Sequence, residues 1–182
     1  FTGEQSRQKV VDLATHLNRY QPKTTLLIVP FTDIQKAIKE NCQERYRTIL
    51  YRRFMYYIGN QLIKKYKALG YVTGEAVGQV ASQTLENLAC TEDAAAIPVL
   101  RPLIGMEKAE IISYSKLIGT FEISIQPFPD CCTVFQPRKP EVHGNIKTLQ
   151  KEEQFDYSNL IQETLGAIES ITIDEKSPKL YW

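Results

Sequence analysis

Short apolar, β-branched runs alternate along this chain with segments of helical periodicity, and that alternation limits the fold more than any single motif does. Thr24 to Phe31 (TTLLIVPF) reads as a buried strand, Tyr71–Thr73 as a second and Ile97–Leu100 as a third. Helical spacing of Val10, Val11, Leu13, Ala14 and Leu17 predicts a helix over 4–20. Thr32 followed by Gln35 fits a capping box for a helix reaching about Cys42. A long helix is predicted from about Arg45 to a C-cap at Gly70, another from about Gly78 to Leu88, and another from Met106 to Ile118, closed by Gly119. Such alternation predicts an α/β fold, a doubly wound, mostly parallel sheet with helices on both faces. An open sheet of that kind ordinarily begins with a strand and a phosphate-binding turn, whereas Phe1-Thr2-Gly3-Glu4 starts almost inside a helix.

Past Ile125 the pattern changes. Pro127, Pro129, Pro137 and Pro140 make 126–145 a loop, and it carries the adjacent thiols Cys131 and Cys132. Polar helices follow at 146–154 and 157–169, then a small edge strand at Ile171–Ile173.

At 182 residues and 43% hydrophobic content the chain suits one domain with a full core. No apolar run approaches the roughly 18 residues of a membrane helix, and no secretion signal is visible, so a cytoplasmic protein with no membrane partner is expected. The net charge of +1 says little, but from Arg45 to Lys67 seven basic residues occur with no acidic one. That run fits either a solvated helix face or a phosphate-binding surface. Cys42 and Cys90 lie in helical patterns and read as small buried hydrophobes. With only His16 and His143 available and no C-x-x-C spacing, no metal site is expected.

Two stretches carry chemistry. Gly74 to Thr84 (GEAVGQVASQT) follows a strand, where open α/β sheets bind ligands. A residue without a side chain at Gly74 lets the backbone approach a nucleotide, and a following helix start could hold an anion. Gln79 with Gln83, and Gly78 with Ser82, would then form polar stripes; the same pattern also fits a Gly-capped turn with a polar helix face. Arg52 can bind phosphate oxygens bidentately, or simply edge an amphipathic helix. Lys108, at a helix start where the dipole disfavours a cation, hints at an anion nearby. The second stretch is Asp130-Cys131-Cys132-Thr133-Val134-Phe135. An unperturbed thiol is only about 3% ionised at pH 7; Asp130 would lower that fraction, and Arg138, Lys139 or a helix N-terminus would raise it.

Together these segments closely resemble the tRNA 4-thiouridine synthetase (tRNA sulfurtransferase) family, whose ATP-binding domain belongs to the PP-loop pyrophosphatases. The matching words are Val29-Pro30-Phe31-Thr32, Arg52-Arg53-Phe54-Met55, Thr73-Gly74-Glu75 through Gln79-Val80-Ala81-Ser82-Gln83-Thr84-Leu85, Arg101-Pro102-Leu103-Ile104 with Lys108, the cysteine word, and Phe155-Asp156-Tyr157. The resemblance implies that uridine O4 in tRNA is adenylated by ATP, with Mg2+, and that a cysteine persulfide then supplies sulfur at C4 as AMP leaves. It implies nucleotide contacts by Arg52, Gly74, Glu75 and Gln83, and charge neutralisation on the reacting phosphates by Lys108. It gives the persulfide to Cys132, with Cys131 as a possible resolving thiol beside Asp130. Implied partners are tRNA, a cysteine desulfurase as sulfur donor and a second copy in a homodimer, with a further link to sulfur supply for thiamine thiazole synthesis.

Two features depart from the family pattern. The Ser-Gly-Gly-x-Asp-Ser phosphate loop has no counterpart in 1–182, and neither do the upstream tRNA-binding modules. The expectation is therefore a partial adenylation and sulfurtransferase domain over 1–182, its N-terminal strands and PP-loop missing, with a cysteine loop at 126–145 and a helical tail at 146–182. Such a chain would be inactive alone, as a piece of a longer protein or as a product that lost its phosphate loop. The rival readings are a tRNA-binding remnant without catalysis, and a thiol redox or sulfur-relay protein using Cys131 and Cys132.

Overall fold

The computed structural model describes residues 3–21, 23–128 and 135–174. Its elements run α1 (Glu4–Leu17), β1 (Lys23–Ile28), α2 (Thr32–Asn41), α3 (Arg47–Tyr66), β2 (Tyr71–Val72), α4 (Leu85–Glu92), β3 (Val99–Leu100), α5 (Lys108–Leu117), α6 (Phe121–Ser124), α7 (Ile146–Glu152), α8 (Ser158–Gly166) and β4 (Glu169–Asp174). Short 3-10 turns precede α3 at Glu44–Tyr46 and α4 at Ala81–Gln83.

The mixture of helix and strand agrees with the sequence, but the sheet differs from the expected one. Among the described residues the strands form two separate pairs. β2 and β3 are parallel, Tyr71 opposite Val99 and Val72 opposite Leu100. β1 pairs instead with β4, antiparallel, from Lys23 opposite Asp174 to Ile28 opposite Glu169. The reason is visible in the pairing partners: the Ile171–Ile173 segment reads as an edge strand in sequence, yet it supplies the ladder that β1 needs. The described residues thus do not form one continuous doubly wound sheet.

Most of the core is helical. Ile34 and Ile38 of α2 pack with Ile49, Leu50, Phe54 and Ile58 of α3, Cys90 of α4 and Leu149 of α7. Leu50, Phe54 and Ile58 recur every four residues and so share one stripe of α3. Phe155 stacks on Phe54 at 5.9 Å between centroids and Tyr157 meets it edge-on at 4.9 Å, which brings α8 onto the same stripe. Cys42 and Cys90 are buried and unbridged, as their sequence setting predicts. Burial, reinforced by Glu152, pushes the Cys42 thiol up to about 12, so it is an inert packing group.

A second stripe of α3 faces β2. Arg52, Tyr56 and Asn60 lie on it; Tyr56 meets Tyr71 edge-on at 5.0 Å, and the Tyr71 hydroxyl donates to Asn60 Oδ1 at 2.8 Å. Gly59 permits this approach, since a Cβ there would stand 2.8 Å from the Tyr71 hydroxyl.

Several boundaries are corrected. Phe31 rather than Thr32 occupies the cap position of α2. α3 ends at Lys67, in a left-handed conformation (φ 50°), not at Gly70. The expected helix from Gly78 does not form: Gly78 is left-handed (φ 77°), and helix resumes only after Thr84, whose hydroxyl accepts from the Asn87 amide at 3.2 Å. Gly119 closes α5 as expected (φ 75°).

Candidate functional site

The site is built on the two crossovers that leave the parallel strands. After β2, Thr73 extends the ladder, its amide donating to Leu100 O at 3.0 Å. Glu75 follows and is 3% exposed. A carboxylate so enclosed must be paired, and it is: Arg52 of α3 donates to one oxygen, while Arg101, just past β3, donates from Nε to the other at 2.8 Å. The Thr73 hydroxyl adds a third bond at 3.0 Å. Arg101 also reaches Glu92 of α4 through Nη1 at 2.6 Å. Burial pulls the Arg101 pKa down, but the hydrogen bonds to Glu75 and Glu92 outweigh it and carry the pKa above that of free arginine. The Arg101 guanidinium stays charged.

Gln83 closes the loop above this cluster. Its side-chain oxygen accepts from the Ala76 amide at 3.4 Å and its carbonyl from the Gly78 amide at 3.0 Å. Gln79, Gln83 and Ser82 therefore belong to a turn, not to the helical stripes predicted for them. Around Gly74 there is open space where a Cβ would stand, and the glycine demanded by backbone conformation is Gly78. The Val77 amide donates to Ile104 O at 3.0 Å, joining this loop to the turn that leads from Arg101 into α5.

Lys108 is the first residue of α5 and is exposed. The anions that offset the helix dipole there are its neighbours Glu107 and Glu110; the Glu110 carboxylate accepts from the Glu107 amide at 2.8 Å. Among the described residues no hydrogen bond or ion pair joins Lys108 to the cluster.

Asp130, Cys131 and Cys132 lie outside the described residues, but the chain on either side is anchored. Lys9 of α1 donates to Phe128 O at 3.3 Å. Phe135 has φ 61°, with the Lys39 ammonium 4.4 Å from its ring centroid. Next, the Arg138 amide donates to Glu44 at 2.9 Å, and the Glu141 amide to Arg45 O at 3.0 Å. Asn87 then ties this returning segment to the Gly74–Thr84 loop. Its side-chain nitrogen donates to Ala81 O at 2.7 Å and Glu141 O at 2.8 Å, while its oxygen accepts from the Gly144 amide at 2.9 Å.

The basic run has a mixed fate. Arg45 pairs with Glu141, Arg52 with Glu75, and Arg53 with Glu153 and Asp93. Lys64, Lys65 and Lys67 remain exposed. The structure brings Arg52, Glu75 and Gln83 to one loop. It adds Arg101, Thr73 and Asn87, which the sequence reading left without a role. Only Asn87 had a local signal, three residues after the capping Thr84.

An α/β fold with a loop held over two half-buried arginines that share one carboxylate can be set beside the solved structures. The chain matches one described as a 4-thiouridine synthetase–RNA complex with bound ATP, with a TM-score of 0.91 and 38% identity, over 96% of this chain and 46% of that one. The chain belongs to the family described as "Thiamine biosynthesis protein (ThiI)", whose model matches residues 1–157. It is 46% identical over 174 residues to the probable tRNA sulfurtransferase of Bacillus velezensis, covering 95% of this chain and 43% of that protein. The probable tRNA sulfurtransferase of Geobacillus thermodenitrificans is 45% identical over 178 residues, 97% of this chain and 44% of the relative. The chain spans less than half the length of these relatives.

Proposed function

We propose that this chain acts within a longer ATP-dependent tRNA 4-thiouridine synthetase, as the part that binds the adenylate-forming nucleotide and carries the transferred sulfur. The observation that carries this reading is the convergence of Arg52 and Gln83 on one loop through Glu75 and Ala76. In the proposed reaction, ATP activates uridine O4 with release of pyrophosphate, because a uracil carbonyl oxygen leaves poorly until it is adenylated. The terminal sulfur of a Cys132 persulfide then attacks C4 and AMP leaves; Cys131, with Asp130 at its side, attacks Cys132 Sγ, which breaks the S–S bond, frees 4-thiouridine and leaves a Cys131–Cys132 disulfide for an external thiol to reduce. Arg52 and Lys108 serve the phosphates; the open space at Gly74 and the turn closed by Gln83 serve the nucleoside. Both oxygens of Glu75 are taken by arginines and Thr73, so this carboxylate positions side chains, and Mg2+ would ride on the phosphates. On this reading the doubly wound parallel sheet and the phosphate loop belong to the complete domain. The partners are tRNA, a cysteine desulfurase and a second copy, in the cytoplasm, with thiamine thiazole sulfur supply as a second use of the persulfide.

The test uses the full-length protein. Cys132→Ser is expected to abolish 4-thiouridine while pyrophosphate release with tRNA and ATP continues. Normal thiolation by Cys132→Ser together with inactive Cys131→Ser would reassign the thiol. Wild-type protein that forms no 4-thiouridine with a desulfurase present would overturn the reading.

A further inference from the structure

We infer that Arg101 is a second phosphate-binding arginine of the nucleotide site, with Glu75 as the residue that positions it beside Arg52. The inference rests on the nucleotide reading above and adds a ligand contact to it. A guanidinium has donors on Nε, Nη1 and Nη2. In Arg101 the first is taken by Glu75 at 2.8 Å and the second by Glu92 at 2.6 Å. Nη2 is buried and has no hydrogen-bond partner among the described residues. A buried charged donor is costly to leave unmet, so this position calls for an acceptor.

The charges say what kind of acceptor. Two guanidinia converge on the single enclosed carboxylate of Glu75, which leaves one positive charge over; Glu92 is half-exposed and water screens its contribution. A planar fork with surplus charge matches phosphate oxygens. The Arg101 side chain is 11% exposed, too recessed for a polymer backbone and suited to the phosphates of a small nucleotide. Glu75 makes the arrangement possible, because without it the two cations would repel each other.

The experiment measures equilibrium binding of ATP and of adenosine to the full-length protein. Arg101→Gln is expected to weaken ATP binding by about tenfold or more, the scale of one lost charge-assisted hydrogen bond. Adenosine affinity is expected to stay within about twofold, since a phosphate contact contributes nothing to the nucleoside. Arg101→Lys keeps the ion pair with Glu75 without the fork, and should bind ATP with intermediate affinity; it serves if the glutamine variant does not fold. ATP affinity unchanged in both variants overturns the inference. So does a parallel loss of ATP and adenosine, which would make Arg101 a purely structural residue. Wild-type protein that binds neither ligand removes the nucleotide reading itself, an outcome distinct from both.

Discussion

The side chain of Asn87 is fully enclosed, and its two ends serve different segments. The amide nitrogen holds the carbonyls of Ala81 and Glu141, and the oxygen holds the amide of Gly144. Gly144 is glycine for a steric reason, since a Cβ there would stand 2.5 Å from Asn87 Oδ1. Asn87→Asp keeps the acceptor but loses both donated bonds and buries a charge against two carbonyls. We expect a loss of about 1–3 kcal/mol for each orphaned acceptor. In hydrogen–deuterium exchange the loops at 81–83 and 141–144 should loosen together. Protection lost in only one of them would show that Asn87 does not join them. This residue was half-legible in sequence: Thr84 followed by a polar residue three places on signals a helix start, but no local pattern announces a bond to Glu141 or Gly144. The Glu75 pairings with Arg52 and Arg101 were hidden for the same reason, because sequence periodicity reports a residue's face and not its distant partner.

At the level of elements, α3 does two jobs on neighbouring residues. Arg52 looks toward the Gly74–Thr84 loop, while Arg53 is 1% exposed and is clasped by Glu153 at 2.6 Å, Asp93 at 3.0 Å and the Tyr57 hydroxyl at 2.9 Å. The clasp fixes the rotation of α3 against α4 and the end of α7, and so aims Arg52. Arg53→Met would strand the Glu153 carboxylate, which is 6% exposed, and should destabilise the chain by about 3–5 kcal/mol in denaturant unfolding. A change below about 1 kcal/mol would show that Glu153 finds water or another partner. Most of the longer helices were legible in the sequence, α1 from its apolar spacing, although α3 stops short of the expected cap at Gly70. The misread stretch was 78–84, where polar residues at helical intervals suggested a continuous helix. The left-handed Gly78 and the capping Thr84 interrupt it, and a glycine signals such a break only when its φ is known.

Across the whole molecule, Glu141 locks the segment that returns from the cysteine loop. The backbone amide of His143 above all, with the Arg45 guanidinium and the Val142 amide, holds its carboxyl below the usual carboxylate range. A lowered folded-state pKa means that this contribution is complete above the unfolded value of 4.5 and fades as pH falls through the lower folded value. Stability should therefore decline in acid below about pH 4.5, and Glu141→Gln should flatten that decline. An unchanged pH slope in Glu141→Gln would shift the acid sensitivity to other carboxylates. The pairing of β1 with β4 has a consequence of another kind, in the order of events during synthesis. Lys23 pairs with Asp174, so this ladder of β1 closes only after roughly 150 further residues are made at ~5–20 per second. Until then the edge of TTLLIV that faces β4 is a half-finished ribbon, the kind of open strand edge that invites pairing with another chain.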